Sequence, residues 1–189
     1  MAVKDTPHQQ APVPADSPTT PTRPLLGAIR WDAWHRPRQE GEPGGAGGPV
    51  LAMTRSLAPQ RYHWRLPFFA AVVSDHQVRI DGYTQDVLDR EIGFAKAGGI
   101  DYWAFLLYEE GTAMSDGLAF YLSSARKQEL RFCAIASPNT FGNAQQFRGR
   151  MARIVRLIGE PSYQTVLEGR PLLYLFNVSD AWVQAWGGE

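Results

Sequence analysis

What the chain has little of excludes several classes of protein. Its 189 residues contain one cysteine, Cys133, so neither an intramolecular disulfide nor a cysteine-based zinc site can form. Lysine plus arginine is 19 and aspartate plus glutamate is 19, and this balance argues against a nucleic-acid partner and against a polybasic membrane-surface protein. No apolar run approaches the ~20 residues of a membrane-spanning helix. The composition therefore predicts a soluble globular domain with no metal, no cofactor and no membrane span.

The first 24 residues differ in composition from the rest of the chain. They are rich in proline and threonine and contain no isoleucine, leucine or aromatic residue. Such a segment cannot bury enough apolar surface to offset its ordering entropy, so we expect a disordered tail over 1–24. The tail lacks the apolar core of a signal peptide. Two interpretations stay open: a cytoplasmic protein as written, or a secreted protein whose signal lies upstream.

Beyond the tail, apolar runs alternate with helical patterns. The run LLGAIRWDAW has strand alternation near its end, with Ala28, Arg30 and Asp32 on one face and Ile29 and Trp31 on the other. An inserted loop is expected at about 33–83, with an extended stretch over 64–73, and a short helical turn near 162–166. Strands are predicted at 25–34, 100–108, 130–137 and 171–177, and helices at 84–98, 115–128 and 143–158.

The alternation of strands and helices is typical of parallel βαβ units. Two architectures fit it, an open doubly wound sheet and a (β/α)8 barrel. No glycine-rich phosphate loop connects a strand to a helix, because the glycines of GEPGGAGG (41–48) match no nucleotide-binding pattern. The absence favours the barrel over a nucleotide-binding α/β domain.

Three stretches carry a resemblance to a known group of proteins. They are GAIRWDAWH (27–35), DREIGFAKAGGIDYWAFLLY (89–108) and YQTVLEGRPLLYLFN (163–177). Together they resemble the N-terminal half of bacterial glycoside hydrolase family 99-like and family 71-like (β/α)8 barrels, over about residues 25–177. The resemblance implies a TIM-type fold, a carbohydrate substrate and glycosidic bond hydrolysis.

The resemblance also implies a fold of eight strands, of which the sequence predicts four. A typical barrel takes ~250 residues. The catalytic carboxylates of such families would lie in the other half, so no residue of this chain corresponds to them. We therefore expect residues 25–189 to form an incomplete (β/α)8 barrel. It would be a fragment of a longer protein, a truncated product, or a half-barrel that self-associates to close.

Candidate substrate-binding residues follow from the position of the strand ends. In parallel barrels the chemistry lies at the carboxyl ends of the strands. Aromatic rings there can stack on sugar faces, and amides and carboxylates can bind hydroxyl groups. The predicted sugar-binding residues are Trp31, Asp32, Trp34, Tyr108, Glu109, Asn139 and Asn177.

Some of these residues also have a structural interpretation. Asp32 can bind substrate or can form an ion pair with Arg30, two residues earlier on the same strand face. Glu109 and Glu110 are adjacent, so on an extended chain at most one of them faces the cleft, and a self-contained acid–base pair is not expected. Cys133 is expected to be a buried, unreactive side chain.

The sequence thus leads to two hypotheses. The first is a carbohydrate-active barrel, a glycoside hydrolase on a polysaccharide or glycoconjugate when complete. The second is a non-catalytic glycan-binding or scaffold barrel fragment with no independent activity. A metal site of Asp32 with His35 and His63 has no support from ligand spacing.

Overall fold

The computed structural model describes residues 23–34 and 48–185. Most of the predicted tail, most of the glycine-rich loop and His35 lie outside the described residues. The strands are β1 (Gly27–Arg30), β2 (Ala70–Ser74), β3 (Gln77–Ile80), β4 (Tyr102–Leu106), β5 (Arg131–Ala136), β6 (Thr165–Val166), β7 (Arg170–Pro171) and β8 (Leu173–Leu175). The α-helices are α1 (Pro49–Leu57), α2 (Gln85–Ala97), α3 (Asp116–Ser123), α4 (Pro138–Phe141), α5 (Ala144–Ile158) and α6 (Asp180–Ala185).

A four-stranded parallel sheet organises the described part of the chain. Its order is β1-β4-β5-β8, and each strand pairs in parallel with its neighbours. Helices lie between successive strands along the chain, with α2 between β1 and β4, α3 between β4 and β5, and α5 between β5 and β8. The protein therefore has a mixed α/β fold built from parallel βαβ units, as the alternation predicted.

Two of the predicted helix starts are confirmed in detail. The hydroxyl of Thr84 accepts a hydrogen bond from the Val87 backbone N–H and caps α2. Asn143 and Gln146 form a reciprocal capping box at the start of α5. Such caps satisfy backbone donors that the first helical turn leaves free.

The helix predicted at 115–128 is shorter than expected. It ends at Ser123, and a single 3-10 turn at Lys127–Glu129 replaces its last part. The Ser115 hydroxyl does not cap the helix; it donates instead to the Thr112 carbonyl at 2.8 Å. The helix therefore begins next to its predicted start at 115, with Ser115 at the N-cap position and no side-chain cap.

The main core lies between the helices and one face of the sheet. The rings of Phe105, Tyr121 and Phe132 contact one another edge-on or tilted, with centroids 5.0–6.3 Å apart. Leu88 and Ile92 of α2 are fully buried in the same cluster. Alternation in β4 places Trp103 and Phe105 on this helix-covered face, together with Ala28 and Arg30 of the neighbouring strand; we call it the helix face.

The opposite face of the sheet, which we call the open face, carries the alternate residues. Ile29 on β1 is 78% exposed there. The Tyr102 hydroxyl forms a 2.7 Å hydrogen bond with the Tyr174 hydroxyl, so two side chains from strands on either side of β5 meet above it. Cys133 of β5 is fully buried on the open face, and burial raises the pKa of its thiol to about 12. The side chain thus behaves as the predicted small apolar residue.

The insertion between β1 and α2 has structure of its own. Its described part contains α1, a 3-10 helix at Gln60–Arg65 and the antiparallel hairpin β2–β3. Leu57, Val78 and Ile80 form its small core. The ring of Phe68 packs against the ring of Phe94 of α2, with centroids 5.1 Å apart. The insertion therefore packs beside the helix layer.

The approach to β8 differs from the prediction. Residues 162–164 do not form a helical turn; Phe132 donates to the Ser162 carbonyl and accepts from the Gln164 N–H, so this stretch pairs with the first half of β5. A small hairpin, β6–β7, follows. Its loop residues Leu167, Glu168 and Gly169 all have positive φ, which places the chain in the left-handed region and turns it back into β7.

Candidate functional site

A cavity of about 1330 Å³ lies at the carboxyl ends of β4, β5 and β8. Its walls come from the segments after these strands and from α5. This is the edge at which parallel α/β proteins bind ligands.

Four of the seven predicted sugar-binding residues line this cavity together: Tyr108, Glu109, Asn139 and Asn177. Tyr108 and Glu109 follow β4, Asn139 lies in α4 directly after β5, and Asn177 follows β8. Asn177 has a φ of 58°, a conformation that asparagine tolerates better than most residues. The convergence comes from the parallel sheet, because it brings the ends of strands far apart in sequence to one edge.

Glu110 also lines the cavity. The prediction that only one of the two adjacent glutamates faces the cleft assumed continued strand geometry, but β4 ends at Leu106 and the chain turns near Gly111. The Glu110 carboxylate lies 3.1 Å from the Arg153 guanidinium and 3.6 Å from that of Arg156.

The other three predicted residues, Trp31, Asp32 and Trp34, are not among the lining residues. Trp31 is 48% exposed just after β1. The Trp34 side chain packs against the core of the insertion, and its carbonyl accepts a hydrogen bond from Gly82. The structure therefore separates the end of β1 from the cavity.

Asp32 is 4% exposed and takes part in an ion-pair network. Arg30 donates to Asp32 at 2.6 Å and to Glu91 of α2 at 2.7 Å. Its guanidinium also lies over the Trp103 ring, 4.4 Å from the centroid. Burial alone would lower the pKa of Arg30, but the charges of Asp32 and Glu91 and their hydrogen bonds outweigh it and raise that pKa. This geometry matches the structural interpretation of Asp32.

Three lining arginines were missed by the sequence analysis: Arg150, Arg153 and Arg156 of α5. Arg153 donates to the Tyr108 carbonyl at 2.5 Å, and Arg150 donates to the Asn139 carbonyl at 2.6 Å. Burial lowers the pKa of Arg153, yet a guanidinium stays charged in a protein. Their spacing of three residues was the available signal, since it places all three on one helix face.

Two further aromatic residues line the cavity, Phe176 after β8 and Trp182 of α6. The Trp182 ring contacts the Phe141 ring, with centroids 5.8 Å apart. It therefore packs on α4 and borders the cavity at once.

The described residues were also compared with the requirements of a metal site and of a membrane-spanning helix. Across residues 23–34 and 48–185, no three His, Cys, Asp or Glu side chains come together as metal ligands. Within the same ranges none of the helices has both the length and the apolar composition of a membrane span. The chain matches no protein-family model, no curated protein and no solved structure.

Proposed function

We propose that this chain forms one half of a carbohydrate-active (β/α)8 barrel and that the cavity at its strand ends binds a glycan. The proposal extends the resemblance to the family 99-like and family 71-like glycoside hydrolases. When complete, such a barrel would hydrolyse a polysaccharide or glycoconjugate.

The strand order is the observation that carries the proposal. In a barrel, successive parallel strands lie side by side in chain order, whereas a doubly wound sheet reverses direction at a switch point. Here the order β1-β4-β5-β8 follows the chain without reversal. In the described sheet, β1 and β8 are the two edge strands. Each can therefore pair along its outer edge with a strand of a second half.

The lining of the cavity supports a glycan ligand. Tyr108, Phe176 and Trp182 provide rings of the kind that stack on the apolar faces of sugars. Asn139 and Asn177 provide amides that can donate to and accept from hydroxyl groups.

The carboxylates of the cavity favour a binding role for this half. Glycoside hydrolysis generally needs two carboxyl groups on either side of the scissile bond. Glu110 is held by Arg153 and Arg156, so of the two cavity glutamates Glu109 alone lacks an ion pair with these arginines. A hydrolase would then need a carboxyl group from the other half. The same observation favours the alternative, a glycan-binding barrel without catalysis.

The test is glycan binding by the 189-residue chain, measured on an oligosaccharide array and then by calorimetry on the best ligand. Tyr108→Ala and Asn177→Gly remove a ring and an amide, and glycine keeps the backbone conformation at position 177. Each should weaken binding about 5- to 30-fold, as the loss of ~1–2 kcal/mol implies. Gln128→Ala, far from the cavity lining, is the control and should bind normally.

The proposal fails if no oligosaccharide binds to the folded chain, or if both cavity variants bind as well as the unchanged protein. Binding without release of reducing sugar agrees with both forms of the proposal, because a hydrolase would take a catalytic carboxyl group from the other half. Release that Glu109→Gln abolishes supports a hydrolase.

A further inference from the structure

One wall of the cavity is a row of positive charge. Arg150, Arg153 and Arg156 are spaced three residues apart on α5. With a rise of 1.5 Å per residue, their Cα atoms follow one another at about 4.5 Å along the helix and cover about 9 Å. The row is long enough to meet more than one unit of a chain-like ligand.

The first two guanidiniums are held in place by the cavity itself. Arg150 and Arg153 each donate to a backbone carbonyl, that of Asn139 and that of Tyr108. A guanidinium has five N–H donors, so each keeps donors beyond this anchor. This anchoring reduces the side-chain entropy that is lost when a ligand binds, so the row is preorganised for binding.

The protein's own contacts show which partner the row accepts. Glu110, 65% exposed, places one carboxylate oxygen between Arg153 and Arg156. A guanidinium can bind the oxygens of a carboxylate or of a phosphate, and the anion that these two arginines already hold is a carboxylate. With Glu109 and Glu110 as the acidic lining side chains, the three arginines leave the wall with an excess of positive charge.

From these contacts we infer that the glycan taken by this cavity is acidic, a uronic-acid oligosaccharide whose carboxylates pair with the α5 arginines. The inference rests on the proposed function and specifies its substrate class. Arg150, which has no carboxylate partner among the described ion pairs, meets the first uronate, and a second uronate displaces Glu110 from Arg153 and Arg156.

The experiment compares each acid with its own neutral form. Hexasaccharides of galacturonate, mannuronate and hyaluronan are titrated into the 189-residue chain at low ionic strength, beside the same oligosaccharides with their carboxyl groups reduced to alcohols. Reduction removes the charge and keeps the linkage and length. At least one acidic hexasaccharide should bind at least tenfold more tightly than its reduced form.

Variants locate this preference on the helix. Arg150→Gln should weaken the acid about tenfold, the effect of one charge-assisted hydrogen bond, and leave the reduced form unchanged. Arg148→Gln, on the same helix but outside the lining, is the matched control and should change neither. Glu110→Gln should tighten the acid severalfold, because it frees Arg153 and Arg156.

The outcomes separate the two proposals. If reduced and acidic forms bind equally, the glycan site stands and the acidic class is overturned. If Arg148→Gln weakens the acid as much as Arg150→Gln, or if a glutamate hexapeptide binds as tightly as the uronates, the attraction is general and the inference also fails. If neither form of any oligosaccharide binds, both proposals fall.

Discussion

Replacing Asp32 by alanine should destabilise the fold and should not act through the ligand cavity. The carboxylate lies against Gly117 at the start of α3 and accepts a 2.6 Å hydrogen bond from Arg30. Arg30 and Asp32 have side chains that are 10% and 5% exposed. Alanine removes one partner of this pair and leaves a buried guanidinium with less compensation.

The magnitude follows from what Arg30 keeps. Breaking a buried ion pair by removing one partner costs about 3–5 kcal/mol. Arg30 retains Glu91 at 2.7 Å and the Trp103 ring, so we expect the low end, about 3 kcal/mol. In a domain of this size that corresponds to a fall of roughly 6–12 °C in melting temperature.

A thermal melt and a urea titration measure the loss of stability. Glu129→Gln, which breaks the exposed pair with Arg126, is the control and should leave the melting temperature unchanged. Gly117→Ala supplies a second readout, because a Cβ there would overlap the Asp32 carboxylate. It should be strongly destabilising alone and much less so in the Asp32→Ala background. An Asp32→Ala variant as stable as the parent, or a Gly117→Ala cost that is the same in both backgrounds, would refute the reasoning.

Three other measurements test separate parts of the fold. Cys133 should react with a thiol reagent only as fast as the protein unfolds, since its thiol is buried and its pKa is about 12; rapid labelling of the native protein would contradict this. Asp101 has a lowered pKa because its carboxylate accepts a hydrogen bond from the Leu26 N–H and pairs with Arg23. The carboxylate therefore stabilises the fold at pH values above the ordinary aspartate pKa, and this contribution is lost as pH falls through the lowered value. The melting temperature should therefore fall more between pH 6 and pH 2.5 for the parent than for Asp101→Asn. Equal falls would contradict this role of Asp101. Thr84→Ala should cost about 1 kcal/mol by removing the cap on the Val87 N–H, measured by urea unfolding with Thr84→Ser as the variant that keeps it.

The sequence predicts the parts of the fold that local patterns determine. Thr84 and Asn143 mark helix starts because their side chains satisfy the first-turn donors within a few residues. The runs over 100–108 and 130–137 are nearly all apolar because β4 and β5 are buried in the centre of the sheet.

The stretch before β8 could not be predicted in this way. Its hairpin depends on Leu167 and Glu168 adopting positive φ, which nothing in their residue types indicates. Residues 162–164 pair with β5, about thirty residues earlier in the chain, and a local pattern carries no information about such a partner.

The candidate site was predictable where it follows strand ends. Tyr108, Glu109, Asn139 and Asn177 come together because parallel strands share one carboxyl edge. The same rule placed Asp32 there, but strand alternation turns its side chain to the helix face, where Arg30 holds it. The α5 arginines were missed because helical spacing shows that they share a face and does not show what that face meets.

The chain-order arrangement of the sheet also bears on the synthesis of the protein. Each strand of this sheet pairs with the sheet strand that precedes it in the chain. No later strand therefore has to be inserted between two strands that have already been synthesised. β1 and β4 can pair while the ribosome is still adding α3, and β5 then joins an edge that already exists. A nascent chain of this topology can fold in the direction of translation, and its exposed growing edge at any moment is the strand most recently completed.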